Sequence, residues 1–501
     1  MNKSSTSSSK VLANSVIYSI SGLLMKCFSF FLLPLYTSYL STDDYGITSI
    51  ATSFVGAMSY IIAFSLFSAV MRFYVDLKDD VEKLKRFYGT IILFVFGSGI
   101  AWMGVITLLQ DFICEYVFVG EEFFPVVFVC SLSTIFNCQH MIYDNMLKSQ
   151  QRAMKSSSIS LGYFLLSIVL NILFVVPLKM GARGVIIATF LANLIYTVYF
   201  LIDIIVSHQV TWCLDAKLLK TALKYSMPIM PHNLSTQITM LVSKTLIGGV
   251  DTLGALGLYS VASQFGNIAD TIQVYVNNAY GPWLYEKLHE GAEGYKKSIR
   301  NIVNMISMVI GLFFLGIALF AEDYIKLFLE KSYVGACQYV PLVVLVFAIK
   351  TAYYFYVNIL FYYKKASRIL FSATLSSSIV NVILSVVFIP LYGVFGSILA
   401  DAISMLIRVT IVIVISKRFE EIGLRVKDFV IHFFIVGGFI FIGLVFSLFI
   451  LKETFSIYNF IYKVFVVVLY ILLIWIRYRK EMRMLMNRVL KKRKIKGDNG
   501  K

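Results

Sequence analysis

The chain has 501 residues, of which 58% are hydrophobic and only 15% are charged. Soluble domains carry about 25% charged residues, so this composition excludes a soluble protein and indicates a membrane protein. The net charge of +17 does not require a nucleic-acid partner, because the segment from Arg477 onward alone contributes +9. That segment is interpreted as a topology anchor on anionic lipid.

Apolar runs long enough to cross a bilayer recur along the whole chain. A membrane helix needs about 20 mostly apolar residues, because the hydrocarbon layer is about 30 Å thick and backbone polar groups must be bonded internally. Fourteen membrane-spanning helices are predicted, at residues 11–33, 46–71, 87–109, 123–146, 157–177, 184–206, 225–248, 254–280, 301–320, 339–361, 369–389, 394–415, 429–451 and 457–476. The short connections leave no room for a soluble catalytic module.

Several kinds of site are not expected from the sequence. Six cysteines show no close pair, so neither a disulfide framework nor a metal site is indicated. A nucleotide-binding glycine loop does not occur either, and no cofactor or catalytic group is expected. The polar residues 1–10 precede an apolar run without a small-residue cleavage site, which predicts a cytoplasmic tail before a retained helix.

Lysine and arginine predict the orientation of the chain. With the N-terminus inside, 35 of the 45 basic residues fall on the inner side, five on the outer side and five within spans. Basic residues of short loops stay preferentially in the cytoplasm. A multi-pass protein with both termini in the cytoplasm is therefore predicted.

Sequence segments recur at an offset of 211 to 213 residues. The matching segments are 46–54 with 257–265, 171–188 with 381–400, and 152–155 with 365–368. Gly181 and Gly393 lie at matching places and are predicted to form tight outer turns. The repeat covers six helices, and because six is even, both copies enter the membrane from the same side as parallel repeats.

The repeat predicts how the chain is organised. The predicted parts are a cytoplasmic tail (1–10), a first lobe of six spans (11–206), a cytoplasmic linker (207–223), a second lobe of six spans (224–415), two extra spans (429–476) and a basic cytoplasmic tail (477–501). Transporters built of parallel repeats bind substrate between the halves near mid-membrane, and rocking of one half against the other alternates access. Transport is therefore the expected function.

Basic side chains within spans are functional candidates, because each costs about 2.5 to 3.5 kcal/mol to insert. Those expected to line a cationic cavity are Lys26, Lys244, Lys350 and Arg408. Ammonium and guanidinium groups bind phosphate strongly, so a phosphate or diphosphate is the expected ligand. Lys463 lies near the outer end of its span and is instead expected to snorkel to the interface.

The acidic residues well inside spans are Asp270 and Asp401. Asp270 is expected either to pair with Lys244 or to relay a coupling proton, and the sequence does not decide between these roles. Asp401 shares a helix face with Arg408, two turns away, as a polar stripe. Polar side chains expected to face the cavity or a neighbouring helix are Asn137, Gln264 and Gln273.

Two stretches carry a resemblance to a known family. They are "FLLPLYTSYLSTDDYGITSI" at 31–50 and "IPLYGVFGSILADAIS" at 389–404, the latter with a counterpart in the first half. The chain resembles the polysaccharide flippases of the multidrug, oligosaccharidyl-lipid and polysaccharide exporter superfamily, over about residues 10–476. The resemblance implies a protein of the bacterial inner membrane that moves undecaprenyl-diphosphate-linked oligosaccharides to the outer leaflet, for O-antigen or capsule synthesis.

The resemblance also implies a site and partners. In related flippases a basic central cavity binds the diphosphate, and two extra helices help to form a groove for the polyprenyl tail. Lys26, Lys244 and Lys350 would then bind diphosphate. The implied partners are the lipid-linked oligosaccharide and membrane lipids, with a polysaccharide polymerase and a chain-length regulator as further candidates.

Two other functions remain open at this point. The multidrug branch of the superfamily performs ion-coupled export, but it typically has twelve spans and acidic cavity residues, whereas fourteen spans and a basic excess favour a flippase. A membrane polymerase or ligase would be expected to have a long outer loop with catalytic residues, and the outer loops here are short. A non-enzymatic transporter is the favoured function.

Overall fold

The computed structural model describes residues 3–290, 295–363, 367–449 and 455–498, and within these ranges it contains helices and no strand. The α-helices are α1 (Lys3–Phe31), α2 (Leu33–Tyr39), α3 (Thr42–Ile62), α4 (Leu66–Leu77), α5 (Val81–Leu108), α6 (Gln110–Phe112), α7 (Phe128–Ser149), α8 (Ala153–Val175), α9 (Gly181–Val206), α10 (Ala216–Ser226), α11 (Met230–Leu246), α12 (Leu253–Glu290), α13 (Tyr295–Phe328), α14 (Val340–Tyr362), α15 (Ser367–Tyr392), α16 (Val394–Phe419), α17 (Val426–Phe449) and α18 (Ile457–Asp498). Short π-helical turns occupy Ile113–Val117, Phe123–Val127 and Ile247–Asp251, and a 3-10 helix occupies Lys331–Gln338.

Within the described residues, twelve helical stretches are long and apolar enough to cross a membrane. The predicted all-α, multi-pass class is therefore confirmed, whereas the predicted count of fourteen spans is not. The two predicted spans that are missing from this set are 225–248 and 254–280. In the first, α11 has only 17 residues, and in the second a row of amide and carboxylate side chains lowers the hydropathy of α12.

The chain divides into two compact units. Unit 1 comprises Met1–Ser260 and Ser378–Ala400, and unit 2 comprises Val261–Ser377 and Asp401–Lys501. The lobe boundaries drawn from the sequence repeat stay a prediction. Of the predicted tails, 1–10 belongs to α1 and 477–501 to α18 as far as each is described, and the repeat segment 365–368 begins outside the described residues.

The core of unit 1 lies between α4, α5, α7, α9 and α10. Aromatic and aliphatic side chains such as Phe87, Tyr143 and Phe200 are almost completely buried there. α10 is amphipathic and packs Ala222 into this core while its lysines stay exposed. The segment that follows α9 in sequence is thus fixed to the unit rather than free.

Glycine turns at matching places of the repeat each pack against an aspartate. Gly181 adopts a φ of +56° at the start of α9, and the next backbone N–H donates to Asp44 Oδ1 at 2.8 Å. Gly393 adopts a φ of +55°, and a Cβ there would lie 2.5 Å from Asp251 Oδ2. The tight turns predicted at both glycines are confirmed, and only glycine adopts this conformation without strain.

Helices α3 and α12 cross closely, and they touch at positions that are equivalent in the sequence repeat. A Cβ on Gly46 would lie 2.2 Å from a carbonyl oxygen of α12, and a Cβ on Gly257 would lie 2.0 Å from a carbonyl oxygen of α3. Between the helices, Ser260 Oγ donates to Ser49 Oγ at 2.7 Å. The contacting pairs are Gly46 with Leu253, Thr42 with Gly257 and Ser49 with Ser260.

These contacts are related by the sequence offset. Adding 211 to 42, 46 and 49 gives 253, 257 and 260, the equivalent positions in the second copy of the repeat. When each residue is replaced by its equivalent, the contact of Gly46 with Leu253 becomes that of Thr42 with Gly257, and the reverse. The contact of Ser49 with Ser260 stays the same. This is the pattern that a local twofold rotation between parallel helices produces. The small side chains at 46, 49, 257 and 260 are what allow the two backbones to approach so closely.

Candidate functional site

An ion pair joins α12 to α14 inside unit 2. Lys350 Nζ lies 2.8 Å from Asp270 Oδ1 and 3.1 Å from Oδ2, and the Tyr354 hydroxyl donates to the same Oδ1 at 2.9 Å. Lys350 and Tyr354 are four residues apart, so both point from one face of α14. The side chains of Lys350 and Asp270 are 17% and 25% exposed. The pair is therefore mostly enclosed by protein but remains partly accessible.

Aromatic rings complete the surroundings of Lys350. Its ammonium lies 5.1 Å from the centroid of the Tyr354 ring and 5.7 Å from that of Phe347. Such cation–π contacts help to stabilise a partly desolvated ammonium. The ammonium thus has a carboxylate and two aromatic rings as neighbours.

Amide side chains hold the same two helices together near the pair. Gln273 Nε2 donates to the carbonyl oxygen of Phe347 at 2.7 Å, and Asn358 Nδ2 donates to Asn277 Oδ1 at 2.6 Å. Asp270, Gln273 and Asn277 follow a spacing of three and four residues, so they form one polar face of α12. Gln273 faces a neighbouring helix, which was one of the two positions expected for it.

Arg408 of α16 lies in the same unit. Its Nε donates to Ser377 Oγ at 2.7 Å, which uses one of the five N–H donors of the guanidinium. Arg408 interacts electrostatically with Asp401 and with two adjacent tyrosines, Tyr353 and Tyr354. The same tyrosines interact with Asp270. Two of the four predicted cations, Lys350 and Arg408, thus share Tyr354 as a neighbour, and Asp401 and Arg408 share α16 as expected.

The other two predicted cations belong to unit 1. Lys244, on α11, donates to the carbonyl oxygen of Ser49 at 3.4 Å and so lies beside the α3–α12 crossing. Lys26, on α1, has an exposed side chain. Asp270 pairs with Lys350, a partner that was not among those expected for it, because the neighbour of α12 at this level is α14.

The remaining predicted polar residues have different surroundings. Asn137 Nδ2 donates to Ser59 Oγ at 2.8 Å and joins α7 to α3. Gln264 is exposed on α12, although residues 261–262 and 265–266 on either side of it are buried. Asn137 therefore has a packing contact within unit 1, whereas Gln264 lies at the surface of its helix.

The snorkelling predicted for Lys463 is wrong. Its side chain is completely buried, and Nζ lies 2.7 Å from Glu322 Oε2 and 2.8 Å from Asp323 Oδ2. The side chain of Lys326, which lies beyond the predicted span 301–320, is also buried, and its Nζ lies 2.6 Å from Glu322 Oε1. The reason is that α13 continues to Phe328, well beyond residue 320 where its predicted span ended.

Sequence reasoning missed several partners of these charges. Tyr354 and Asn358 were not singled out, although both follow Lys350 at intervals of four residues along α14. The pair Glu322 and Lys326 has the same helical spacing. Intervals of four residues between polar side chains of apolar helices were the signal that could have found them.

The twelve apolar helical stretches among the described residues define a multi-pass membrane protein. The chain belongs to the family of polysaccharide biosynthesis proteins, whose model matches residues 38–338. An "uncharacterized membrane protein" of Haemophilus influenzae is 25% identical over 429 residues, which cover 82% of this chain and 98% of that protein.

Solved structures have the same fold at low sequence identity. The lipid II flippase MurJ, in an inward closed conformation, matches with a TM-score of 0.71 and 16% identity, covering 93% of this chain and all of that one. An inward-facing multidrug resistance MATE family transporter matches with a TM-score of 0.58 and 15% identity, covering 80% and 97%. A MOP superfamily transporter from Pyrococcus furiosus matches with a TM-score of 0.52 and 17% identity, covering 81% and 95%.

Proposed function

We propose that this chain is a flippase that moves undecaprenyl-diphosphate-linked oligosaccharide units from the cytoplasmic to the outer leaflet of the bacterial inner membrane. The oligosaccharide units delivered to the outer leaflet would be used to synthesise O-antigen or capsule. Membership of the polysaccharide biosynthesis family and a fold like that of a lipid II flippase support transport of a lipid-linked sugar. In this proposal both termini are cytoplasmic, access alternates, and no cofactor or chemical step is involved.

The observation that carries the proposal is the pair of cations in unit 2. Lys350 lies over the ring of Tyr354 and is only partly enclosed, and Arg408 donates to Ser377 in the same unit. A diphosphate must lose much of its hydration to cross the hydrocarbon, and charge-assisted hydrogen bonds from ammonium and guanidinium groups offset that loss.

Further predicted residues have supporting roles in the proposal. Lys244 and Lys26 are proposed to contact the diphosphate elsewhere along its path. Asp270 and Asp401 are proposed to take part in coupling, and the amides expected to line the polar path are Asn137, Gln264 and Gln273.

Ion-coupled multidrug export is the second candidate, supported by the MATE-like fold. Drug exporters of that branch use acidic cavity residues for cationic drugs. Asp270 is neutralised by Lys350, which disfavours a cationic ligand at this site. A polymerase or ligase has less support, because each solved structure named above is a transporter or a flippase.

Deletion of the gene, followed by analysis of lipid-linked sugars, tests the proposal. We expect loss of surface polymer, with lipid-linked units accumulating on the cytoplasmic leaflet. Plasmid copies carrying Lys350→Ala, Arg408→Ala, Lys244→Ala or Lys26→Ala should insert normally yet fail to restore polymer. Lys220→Ala, which removes an exposed charge from α10, is the matched control and should restore it.

Three results would contradict the proposal. Full restoration by all four variants at normal expression would remove the role of the cations. Accumulation on the outer leaflet would indicate a polymerase or ligase instead. Increased sensitivity to cationic drugs without accumulation of lipid-linked sugar would favour the multidrug exporter.

A further inference from the structure

We propose that Asp270 is an internal counter-ion, which holds Lys350 while the site is empty and gives it up to a phosphate of the substrate. The inference rests on the proposed function, because it requires an anionic headgroup at this site. It adds a role for the carboxylate that family membership does not supply: Asp270 competes with the substrate and thereby sets how tightly the substrate is bound.

The geometry indicates competition for one ammonium. Both carboxylate oxygens of Asp270 lie within hydrogen-bonding distance of Lys350 Nζ, at 2.8 and 3.1 Å. The aromatic rings of Tyr354 and Phe347 lie close to the same ammonium. The ammonium has a third N–H donor, but two anions on one ammonium repel each other, so a phosphate oxygen that takes a strong hydrogen bond from Lys350 weakens its contacts to Asp270.

Asp270 keeps a second donor when Lys350 leaves. The Tyr354 hydroxyl donates to Oδ1 at 2.9 Å, and this contact does not involve the lysine. A carboxylate that loses every partner in a low-dielectric site is strongly unfavourable, so the tyrosine lowers the cost of the exchange. The tyrosine thus leaves Asp270 with a hydrogen-bond donor while Lys350 changes partner.

The exchange fits the needs of a transporter that returns empty. After release, an unpaired ammonium in a partly enclosed site would oppose the conformational change, because a charge without a partner is costly there. Asp270 restores the pair and removes that cost. During binding, its negative charge repels the neighbouring phosphate, which weakens affinity and favours release on the far side.

Binding of inorganic pyrophosphate and of a polyprenyl diphosphate to the purified full-length protein tests the inference. Asp270→Asn keeps the size of the side chain but removes its charge. We expect both ligands to bind at least about tenfold more tightly to this variant, a change equivalent to about 1.4 kcal/mol. Turnover of a fluorescent polyprenyl-diphosphate sugar in proteoliposomes should fall, because release and the empty return are both slowed.

Two further variants distinguish the counter-ion role of Asp270 from general effects of removing a charge. Lys350→Met should weaken binding, and combining it with Asp270→Asn should abolish the gain, since the anion then has no ammonium to recover. Asp428→Asn is the matched control: it removes the same charge from a salt bridge with Arg300 at 2.7 Å that joins α13 to α17. The control should leave pyrophosphate affinity unchanged.

The outcomes distinguish failure of this inference from failure of the proposed function. Wild-type binding with equal or weaker binding by Asp270→Asn overturns the counter-ion and leaves the flippase standing. Absence of binding by both proteins overturns both proposals. An equal gain in Asp428→Asn would show a general effect of net charge and would also overturn the counter-ion.

A measurement on the wild-type protein provides a test that does not depend on the folding of Asp270→Asn. Infrared difference spectra on addition of pyrophosphate should show a shifted carboxylate stretch, as Asp270 loses the ammonium. The band should be absent from Lys350→Met. Spectra without any carboxylate change in the wild type would contradict the inference.

Discussion

Lys463 on α18 is a basic side chain that the protein encloses completely. Its ammonium lies between the carboxylates of Glu322 and Asp323 on α13, and Lys326 approaches Glu322 from the other side. Ser447 of α17 adds a hydrogen bond to Glu322. The charges of two lysines and two carboxylates cancel. The cluster therefore holds α17 and α18 against α13 without burying a net charge.

Replacement of Lys463 tests this fastening role. Lys463→Met should lower the free energy of unfolding by about 3 to 5 kcal/mol, because a buried carboxylate loses its partner. Thermal unfolding of the purified protein in detergent measures the change. Adding Asp323→Asn should recover part of the stability, and Lys220→Met on exposed α10 is the control. An unchanged unfolding midpoint for Lys463→Met would contradict the role.

At the scale of residues, the sequence predicts which charges are unusual but not what they contact. Lys350 and Lys463 both stand out, because a lysine in an apolar run is costly wherever its helix packs. Their partners lie on other helices, and which helices become neighbours depends on packing that no local pattern encodes. The predicted span ended at residue 320, before the carboxylates at 322 and 323, but α13 continues because Lys463 of α18 and Lys326 of α13 itself pair with them.

Helices α3 and α12 show what small residues contribute at the scale of elements. Each helix offers a glycine followed three residues later by a serine, and the other helix fits against that stripe. The repeat made the equivalence of these positions predictable from sequence. The contact itself was not predictable, since equivalence of two segments does not require that they touch.

Enlarging one glycine tests the crossing. A methyl group at Gly257 would lie 2.0 Å from the Thr42 carbonyl oxygen, so Gly257→Ala must push α12 away from α3. We expect a loss of about 1 to 3 kcal/mol in the free energy of unfolding, as for other overpacked contacts. Gly97→Ala in α5, where nothing lies within 4 Å of the added Cβ, is the matched control. Equal stability of the two variants would argue against a tight crossing.

The polar face of α12 could also be predicted from the sequence. Its amides and its carboxylate recur every three or four residues, which is the period of one helix face. Hydropathy alone cannot identify such a helix as a membrane span, because its polar side chains lower its mean hydropathy. This is why the predicted span 254–280 is not supported by the structure, whereas 225–248 is not supported because α11 has only 17 residues.

At the scale of the whole molecule, the twofold relation between α3 and α12 joins segments from the two copies of the repeat. Ser49 and Ser260 meet at the point that the relation leaves unchanged, with their hydroxyl oxygens 2.7 Å apart. If the two copies rock against each other during transport, we expect this contact between them to open and close in every cycle. A cross-link between these two serine positions should therefore stop the movement of the two copies.

A cross-link between these serines tests the movement. In a chain whose native cysteines are replaced, Ser49→Cys with Ser260→Cys should form a disulfide on mild oxidation, because the side chains already meet. Fragments produced by cleavage between the two positions should remain joined until reductant is added. Transport should stop on oxidation and resume on reduction, whereas either single variant should be insensitive. Undiminished transport by the cross-linked protein would exclude opening at this point.

The self-matching contact at Ser49 and Ser260 bears on the origin of the chain. A surface that maps onto itself under a twofold rotation is also the kind of surface through which two identical subunits associate. A half-length ancestor with glycine and serine at these positions would have bound a second copy of itself in the same way. Gene duplication would then have tethered two molecules that already fitted, and left each half free to acquire its own charges.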